Sequence, residues 1–302
     1  MLGRKSVLLA GVFAGGLASG AYAADIKPAI IYDLGHKFDA SFNEGVFHGA
    51  ERFKKESGID YRDLEIQNDA EREQDLRKFA IIDSVVDKPN VQSITFKEHE
   101  GSFVVGVIAA KTSKTGKVGF VGGMDIPLIS RFGCGYAQGV KNVNANNEVF
   151  ANMTGTDFHA WTDPVKGGEL ARSQMDRGAD IVYAAAGATG QGVLKAAAEA
   201  GKFGIGVDSN QNGLFPGHVL TSMVKHVDVA TYDSFMDAKK GTWKPGHVVL
   251  GLKEGGVDYA VDDNNKSILT SDAKAAADAA KADIISGKIQ VHDYMADNKC
   301  PV

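Results

Sequence analysis

Cysteine and proline are scarce in this 302-residue chain, which has two Cys and seven Pro. Two cysteines exclude a disulfide-framework miniprotein and a four-cysteine zinc site. An excess of basic residues is also missing. The formal net charge is −5 at pH 7, which argues against nucleic acid or an anionic membrane surface as partner, because both select basic surfaces. There is no G-x-S-x-G elbow, Walker A loop or H-E-x-x-H pair, and the eight His do not cluster at metal-ligand spacing, so neither metal nor other cofactor is expected. Internal repeats and low-complexity linkers are absent too. Glycine is plentiful at 36, with 44% apolar and 24% charged residues. That is a globular composition, suited to the tight strand–helix turns of an α/β protein. The length allows one large domain or two medium ones, at ~100–200 residues each.

Residues 1–23 read as an export signal to be removed. Arg4 and Lys5 form a short basic start, Val7 to Leu17 an apolar stretch, and Ala21-Tyr22-Ala23 a small-residue cleavage site. The apolar stretch is shorter than the ~18–20 residues of a membrane span. No Cys follows Ala23 directly, so no lipid attachment is expected there, and the expected location is the periplasm. In that oxidising compartment Cys134 and Cys300 could pair, the alternative being two separate thiols.

After the signal, apolar runs alternate with helical periodicity. "PAIIYDLG" at 28–35 precedes "SFNEGVFHGAERFKKES" at 41–57, where Phe42, Val46, Gly49 and Phe53 share a face and Ser41 with Glu44 fits a capping box. The same cadence recurs at 91–96, 117–123, 148–155 and 179–187, each followed by a helical stretch, and further strands are expected at 203–210, 218–224 and 247–252. A last helix is expected at 271–287, with Ser271 as N-cap and Gly287 as C-cap. Alternation of this kind means βαβ units, mostly parallel sheets and, with so many strands, two α/β lobes.

Ligands of open parallel sheets bind beyond the carboxyl ends of strands. Asp33, Asp83, Asp125, Gly187 and Asp208 lie at or just past such ends. Each Asp alone could equally cap the helix that follows, but several together favour a cleft that takes a neutral polyhydroxyl or amine ligand. "GATGQG" at 187–192 lacks the spacing of a dinucleotide fingerprint and reads first as a tight turn. His99, His226 and His247 read as surface or ordinarily hydrogen-bonded residues.

The segment D-L-G-H-K-F-D-A-S-F-N-E, from Asp33 to Glu44, resembles the opening signature of the Bmp (basic membrane protein) family of ABC-importer substrate-binding proteins. The resemblance continues through "NVQSITFKEHEGSF", "KVGFVGGMDIPLISRFGCGYAQGV", "WTDPVKGGELA", "GADIVYAAAGATGQGV", "IGVDSNQ" and "LTSMVKHVDVA". It implies a two-lobed type I periplasmic-binding-protein fold, each lobe a mostly parallel sheet flanked by helices. The expected division is 25–116 with 226–246 in the first lobe and 117–225 with 247–302 in the second. It implies a ligand in the cleft, a purine nucleoside in characterised members, and permease subunits as partners. Asp33 and Asn43 match positions that hydrogen-bond the base, and Asp83 matches a further cleft carboxylate. Phe42 and Trp161 match the two aromatic walls, Gly187 a backbone contact, and Asp208 and Lys225 the groups that hold the ribose hydroxyls. For Phe42 core packing, and for Trp161 packing between the lobes, is the alternative.

The expected function is therefore delivery of a nucleoside to an ABC importer, without covalent chemistry, by a monomer that does not itself span the membrane. Other readings stay open: the same fold with a sugar or other small ligand, a degenerate receptor that no longer binds, and an exported nucleoside-processing enzyme. One departure from the family stands out. "EREQDLRKFA" runs directly into "IIDSVVDKPN", where the family carries about one more βα unit of ~30 residues. The short connection threatens both the sheet order of the first lobe and the aim of Asp83 into the cleft.

Overall fold

A computed structural model describes residues 26–32, 36–66 and 80–302. The expected signal and Asp33 lie outside these described residues. The second lobe is built on a six-stranded sheet. Its strands are β5 (Lys117–Met124), β6 (Glu148–Gly155), β7 (Ile181–Ala185), β8 (Phe203–Asp208), β9 (Val219–Lys225) and β11 (Val257–Tyr259). They lie in the order β11-β9-β8-β7-β5-β6, parallel except for β11, which runs antiparallel to β9. Every residue of β7 is buried, as expected of a central parallel strand covered on both faces. The covering helices are α2 (Glu98–Thr112), α3 (Pro127–Val143), α4 (Pro164–Asp176), α5 (Thr189–Glu199) and α7 (Ser271–Ile285).

Among the described residues, the first lobe has two smaller sheets. β1 (Ala29–Tyr32) pairs in parallel with β2 (Arg62–Glu65), and β3 (Ala80–Ile82) pairs in parallel with β4 (Gln92–Phe96), which also pairs with β10 (Gly246–Leu250). Helices α1 (Phe42–Ser57) and α6 (Val227–Lys240) pack against each other on this lobe. They approach so closely that a Cβ at Gly49 would stand 2.2 Å from the Asp228 carbonyl oxygen. Ile30, Tyr32 and Ala50 form a small core of their own, separate from the large cluster that runs from Ile94 through the second lobe.

Two elements join the lobe opposite to the one expected. α2 packs on α3 and α7, and β10 lies in register with β4 from Gly246↔Gln92 to Leu250↔Phe96. The chain thus crosses between lobes after β4, after β9 and after β10, rather than at 116 and 247. Apolar periodicity marks an element but not the sheet it joins.

Capping also differs from the sequence reading. Asp39 accepts from the backbone N–H groups of Ser41, Asn43 and Glu44 at 2.8, 3.1 and 3.2 Å, so it does the work expected of Ser41. Thr270, not Ser271, caps α7 by accepting from Ala273 N. Gly287 does carry the left-handed φ of 79° that ends this helix, one residue past the cap. Cys134 lies mid-helix in α3 and is joined to Cys300 with a Cα–Cα distance of 5.6 Å. Among the described residues, no helix is long and apolar enough to cross a membrane.

Candidate functional site

Strand ends from both lobes converge on one cavity of about 1540 Å³. Phe42, Asn43, Asp83, Trp161, Gly187, Asp208 and Lys225 all line it. Asp125 does not; it is exposed beyond the end of β5. The volume exceeds the ~300–1,000 Å³ common for small-molecule pockets. The excess has a visible source, because the cavity continues from the cleft into the space between the two small sheets, where β1, β3 and residues Phe235 and Trp243 line it.

Lys225 is the electrostatic centre. Its side chain is 3% exposed. Its ammonium pairs with Asp83 Oδ2 and lies 3.6 Å from Asp208 Oδ1 and 3.8 Å from Glu98 Oε1. The rings of Phe42, Phe132 and Phe96 surround it at 4.9, 5.4 and 5.6 Å. Burial pulls the ammonium pKa down, but the three carboxyl groups outweigh it and the net shift is upward, so Lys225 stays charged. The carboxyl groups outnumber their cations. Burial, opposed by Lys225, raises the Asp83 pKa. Burial likewise pushes Glu98 to about 7 against the pull of Lys225 and Arg131.

Both cleft aspartates sit in strained backbone. Asp83 has φ 62° and Asp208 φ 61°, the left-handed region that non-glycine residues rarely occupy and that clusters at functional sites. The turn bends each chain sharply at its strand end, and both residues line the cavity. Asp83 meets Lys225 despite the short connection before it, so the threat to its aim is not realised. One oxygen of each, Asp83 Oδ1 and Asp208 Oδ1, is buried without a hydrogen-bond partner, as is Glu98 Oε1. Such acceptors are costly to leave unmet.

The aromatic walls come from different lobes. Phe42 opens α1. Trp161 ends a 3₁₀ turn, Phe158–Trp161, and lies so close over β5 that a Cβ at Gly123 would stand 2.2 Å from its ring. Gly187, with φ 55°, passes beneath the same indole, a conformation that favours glycine. Trp161 therefore packs on the second lobe and also lines the cavity. Asn43 is held by the Asp39 carboxylate at its N–H and donates from Nδ2 to the His36 carbonyl at 3.1 Å.

Several groups beyond the sequence reading complete the site. Ser41 donates its hydroxyl to Asp208 Oδ2 at 2.7 Å, which explains why it does not cap α1. Ser209 Oγ donates to the Ser41 carbonyl and Gln211 Nε2 to the Ala40 carbonyl, each at 2.8 Å. These bonds tie the start of α1 to the second lobe. Asp39, pushed up to about 6 by burial despite its three N–H donors, lies beside them. Glu98 follows the end of β4 as Asp83, Asp125 and Asp208 follow or end their strands, so strand-end position is the sequence signal for it too. His99 is buried rather than superficial, and burial lowers it to about 4. His226 pairs with Asp228 at 3.4 Å, and the exposed His247 with Thr95 Oγ1 at 2.7 Å. Among the described residues, no group of His, Cys, Asp and Glu is arranged to hold a metal ion.

Known proteins share this architecture and sequence. Residues 65–294 match the Bmp family profile, described as ABC transporter substrate-binding protein PnrA-like. A protein of Lactococcus lactis subsp. cremoris named ABC transporter nucleoside-binding protein BmpA is 32% identical, covering 90% of this chain and 91% of its own. That alignment runs over 327 positions, more than the 302 residues of this chain, so the relative carries residues that this chain lacks. An uncharacterized lipoprotein of Pyrococcus abyssi is also 32% identical, over 83% of this chain and 73% of its own. Among solved structures, an ABC transporter solute-binding protein from Aeropyrum pernix K1 superposes with TM-score 0.79 at 27% identity, covering 88% of this chain and 92% of that one. The family is one of transporter substrate-binding proteins, not of enzymes. With its profile spanning most of the sequence and a relative matched along nearly all of its length, the chain belongs to the Bmp family of ABC transporter substrate-binding proteins.

Proposed function

We propose that the cleft binds a nucleoside, a purine nucleoside above all, and carries it to the permease of an ABC importer. The observation that carries this reading is the floor of the cavity. There a fixed ammonium, Lys225, stands between Asp83 and Asp208, both on the cavity wall and each with one carboxyl oxygen that makes no hydrogen bond. A ribose diol supplies two O–H donors for these carboxylates and two oxygens for the ammonium. Phe42 and Trp161 on the same cavity offer π faces to a base, each stack being worth ~1–3 kcal/mol, and Asn43 a polar edge. The nucleoside named for the Lactococcus relative supports the same choice.

Transport follows from lobe closure. Ligand contacts on both lobes favour the closed arrangement, in which the strand crossings act as the hinge, and the closed face engages the permease. We place the protein in the periplasm as a monomer, released by cleavage after Ala23 and not acylated; the intact mass of the exported protein checks this by beginning at Ala24. We also propose that the first lobe lacks one βα unit near residue 80. Its division into two sheets and the longer relative both favour this.

The test is calorimetric titration of inosine and hypoxanthine into wild type and Asp208→Ala. The variant should lose roughly 1.5–3 kcal/mol, the value of a charge-assisted hydrogen bond, for inosine and far less for hypoxanthine. Equal losses for both ligands refute a ribose-holding role.

A further inference from the structure

Behind Lys225 lies a second layer that does not touch the cavity. Glu98, the first residue of α2, is fully buried and absent from the cavity wall. Its Oε2 accepts from Arg131 Nη1 at 2.9 Å, while its unpartnered Oε1 faces Lys225 Nζ at 3.8 Å. Arg131 is itself fixed on three sides. The same Nη1 donates to the Phe96 carbonyl at 2.8 Å, at the end of β4, and Nε with Nη2 forks onto the two oxygens of Asp293 in the C-terminal tail. That tail is pinned to the same face of α3. Arg131, Cys134 and Gln138 stand about one turn apart on this helix. Cys134 holds Cys300, and the Gln138 amide both donates to the His292 carbonyl and accepts from its N–H.

We propose that Arg131 and Glu98 are positioning residues for Lys225, and that the tail, through Asp293, fixes Arg131 for this purpose. Lys225 has two directions in which to turn: forward to Asp83 and Asp208 on the cavity wall, or back to Glu98. Arg131 neutralises Glu98 and leaves the Lys225 charge for the front pair. Without Arg131, Glu98 has only Lys225 as a near cation, and it either draws the ammonium back or takes a proton. In the first case the ammonium leaves the place where the ligand needs it; in the second, native Glu98 holds a proton that the unfolded chain has lost. Other groups whose charge reaches Glu98 are Asp83, across the ammonium, and the hydroxyl of Tyr183 on β7. Next to Glu98 in sequence, His99 faces Asp293 at 4.0 Å. None of these supplies a positive charge in place of Arg131, since burial keeps His99 neutral above about pH 4.

The ligand half of this inference rests on the nucleoside reading, so its test has one arm without ligand. Denaturant stability is measured from pH 5 to 8 for wild type, Arg131→Gln, Glu98→Gln and the double variant. Arg131→Gln should go on losing stability as pH rises past about 7, where the wild-type Glu98 contribution levels off, because Glu98 without Arg131 holds its proton to higher pH while the unfolded chain has released it. Adding Glu98→Gln should remove that slope. A loss that is independent of pH, or that Glu98→Gln does not relieve, overturns the proposal. In the second arm, Arg131→Gln should bind inosine at least tenfold more weakly, and the double variant should return to within about threefold of wild type. A double variant no better than the single one overturns it as well. If wild type binds no inosine, the nucleoside reading fails, and the stability arm still decides whether Arg131 governs the charge at Lys225.

Discussion

At the scale of single residues, Asp83 and Asp208 share a position that few side chains tolerate. Both end a strand with φ near 60°. Strain of this kind costs about 1–2 kcal/mol for a residue with a Cβ and is kept where a functional group must be aimed. Replacement by glycine should therefore leave the fold about 1 kcal/mol more stable than replacement by alanine at either site, as read by urea denaturation; equal stabilities would show that the backbone is not strained. His99 makes a separate prediction. Its folded pKa of about 4 lies below the ordinary 6.5, so between these values the unfolded chain binds a proton that the native state refuses. Stability is then lost as pH falls from about 6.5 toward 4, by up to ~3 kcal/mol. Glu98, raised to about 7, acts in the opposite sense, its cost growing as pH rises from about 4.5 to 7. His99→Gln should flatten the acid side of the stability profile, and an unchanged profile would assign that loss to other groups. Strand-end position alone marked the aspartates in the sequence. It did not mark the left-handed turn, which depends on the surrounding packing, nor Arg131, which lies mid-helix and meets Glu98 only in three dimensions.

At the scale of elements, the strong periodicities were legible. The strand over 148–155 has the bounds the apolar run predicts, and α1 and α7 begin within a residue of their expected starts. Caps were less so, because neighbouring polar residues compete for the same N–H groups. Thr270 caps α7 and Ser271 does not. Thr270→Ala should thus cost about 1 kcal/mol, whereas Ser271→Ala should stay within about 0.5 kcal/mol; thermal denaturation of the two single variants separates them, and a larger loss at Ser271 reverses the assignment. β2, reading "RDLE" with three of its four residues exposed, carries no apolar signature and was missed. β10 was recognised as a strand, but its partner β4 lies about 150 residues away in sequence, and nothing local encodes that pairing. Helix α1 owes its place to Gly49. Gly49→Ala would drive a methyl group into the Asp228 carbonyl and should destabilise by about 1–3 kcal/mol.

At the scale of the whole molecule, the two lobes are unequally built. The second has one continuous sheet and most of the large core. The first has two short sheets and a small satellite core under β1. Only half of β1 is buried, and β3 is nowhere fully buried. Supplying the βα unit of a relative between Ala80 and Ile81 should raise the melting temperature by several degrees, since each large apolar side chain newly covered contributes ~1.5–3 kcal/mol. No increase would mean that the divided lobe is complete as it stands. The Cys134–Cys300 bond spans 166 residues, and its loss through Cys300→Ser should cost about 2–4 kcal/mol.

On the reading proposed above, this cleft takes base and ribose together. Thermal denaturation of protein refolded from denaturant, to strip any co-purified ligand, tests it most directly against inosine, hypoxanthine and D-ribose in turn. Inosine at ~100 times its dissociation constant should add ~2.7 kcal/mol, a rise of about 5–10 °C. Hypoxanthine at the same concentration should give a small rise and ribose almost none. A melting temperature that inosine leaves unmoved, or that ribose raises as far as inosine does, would contradict it.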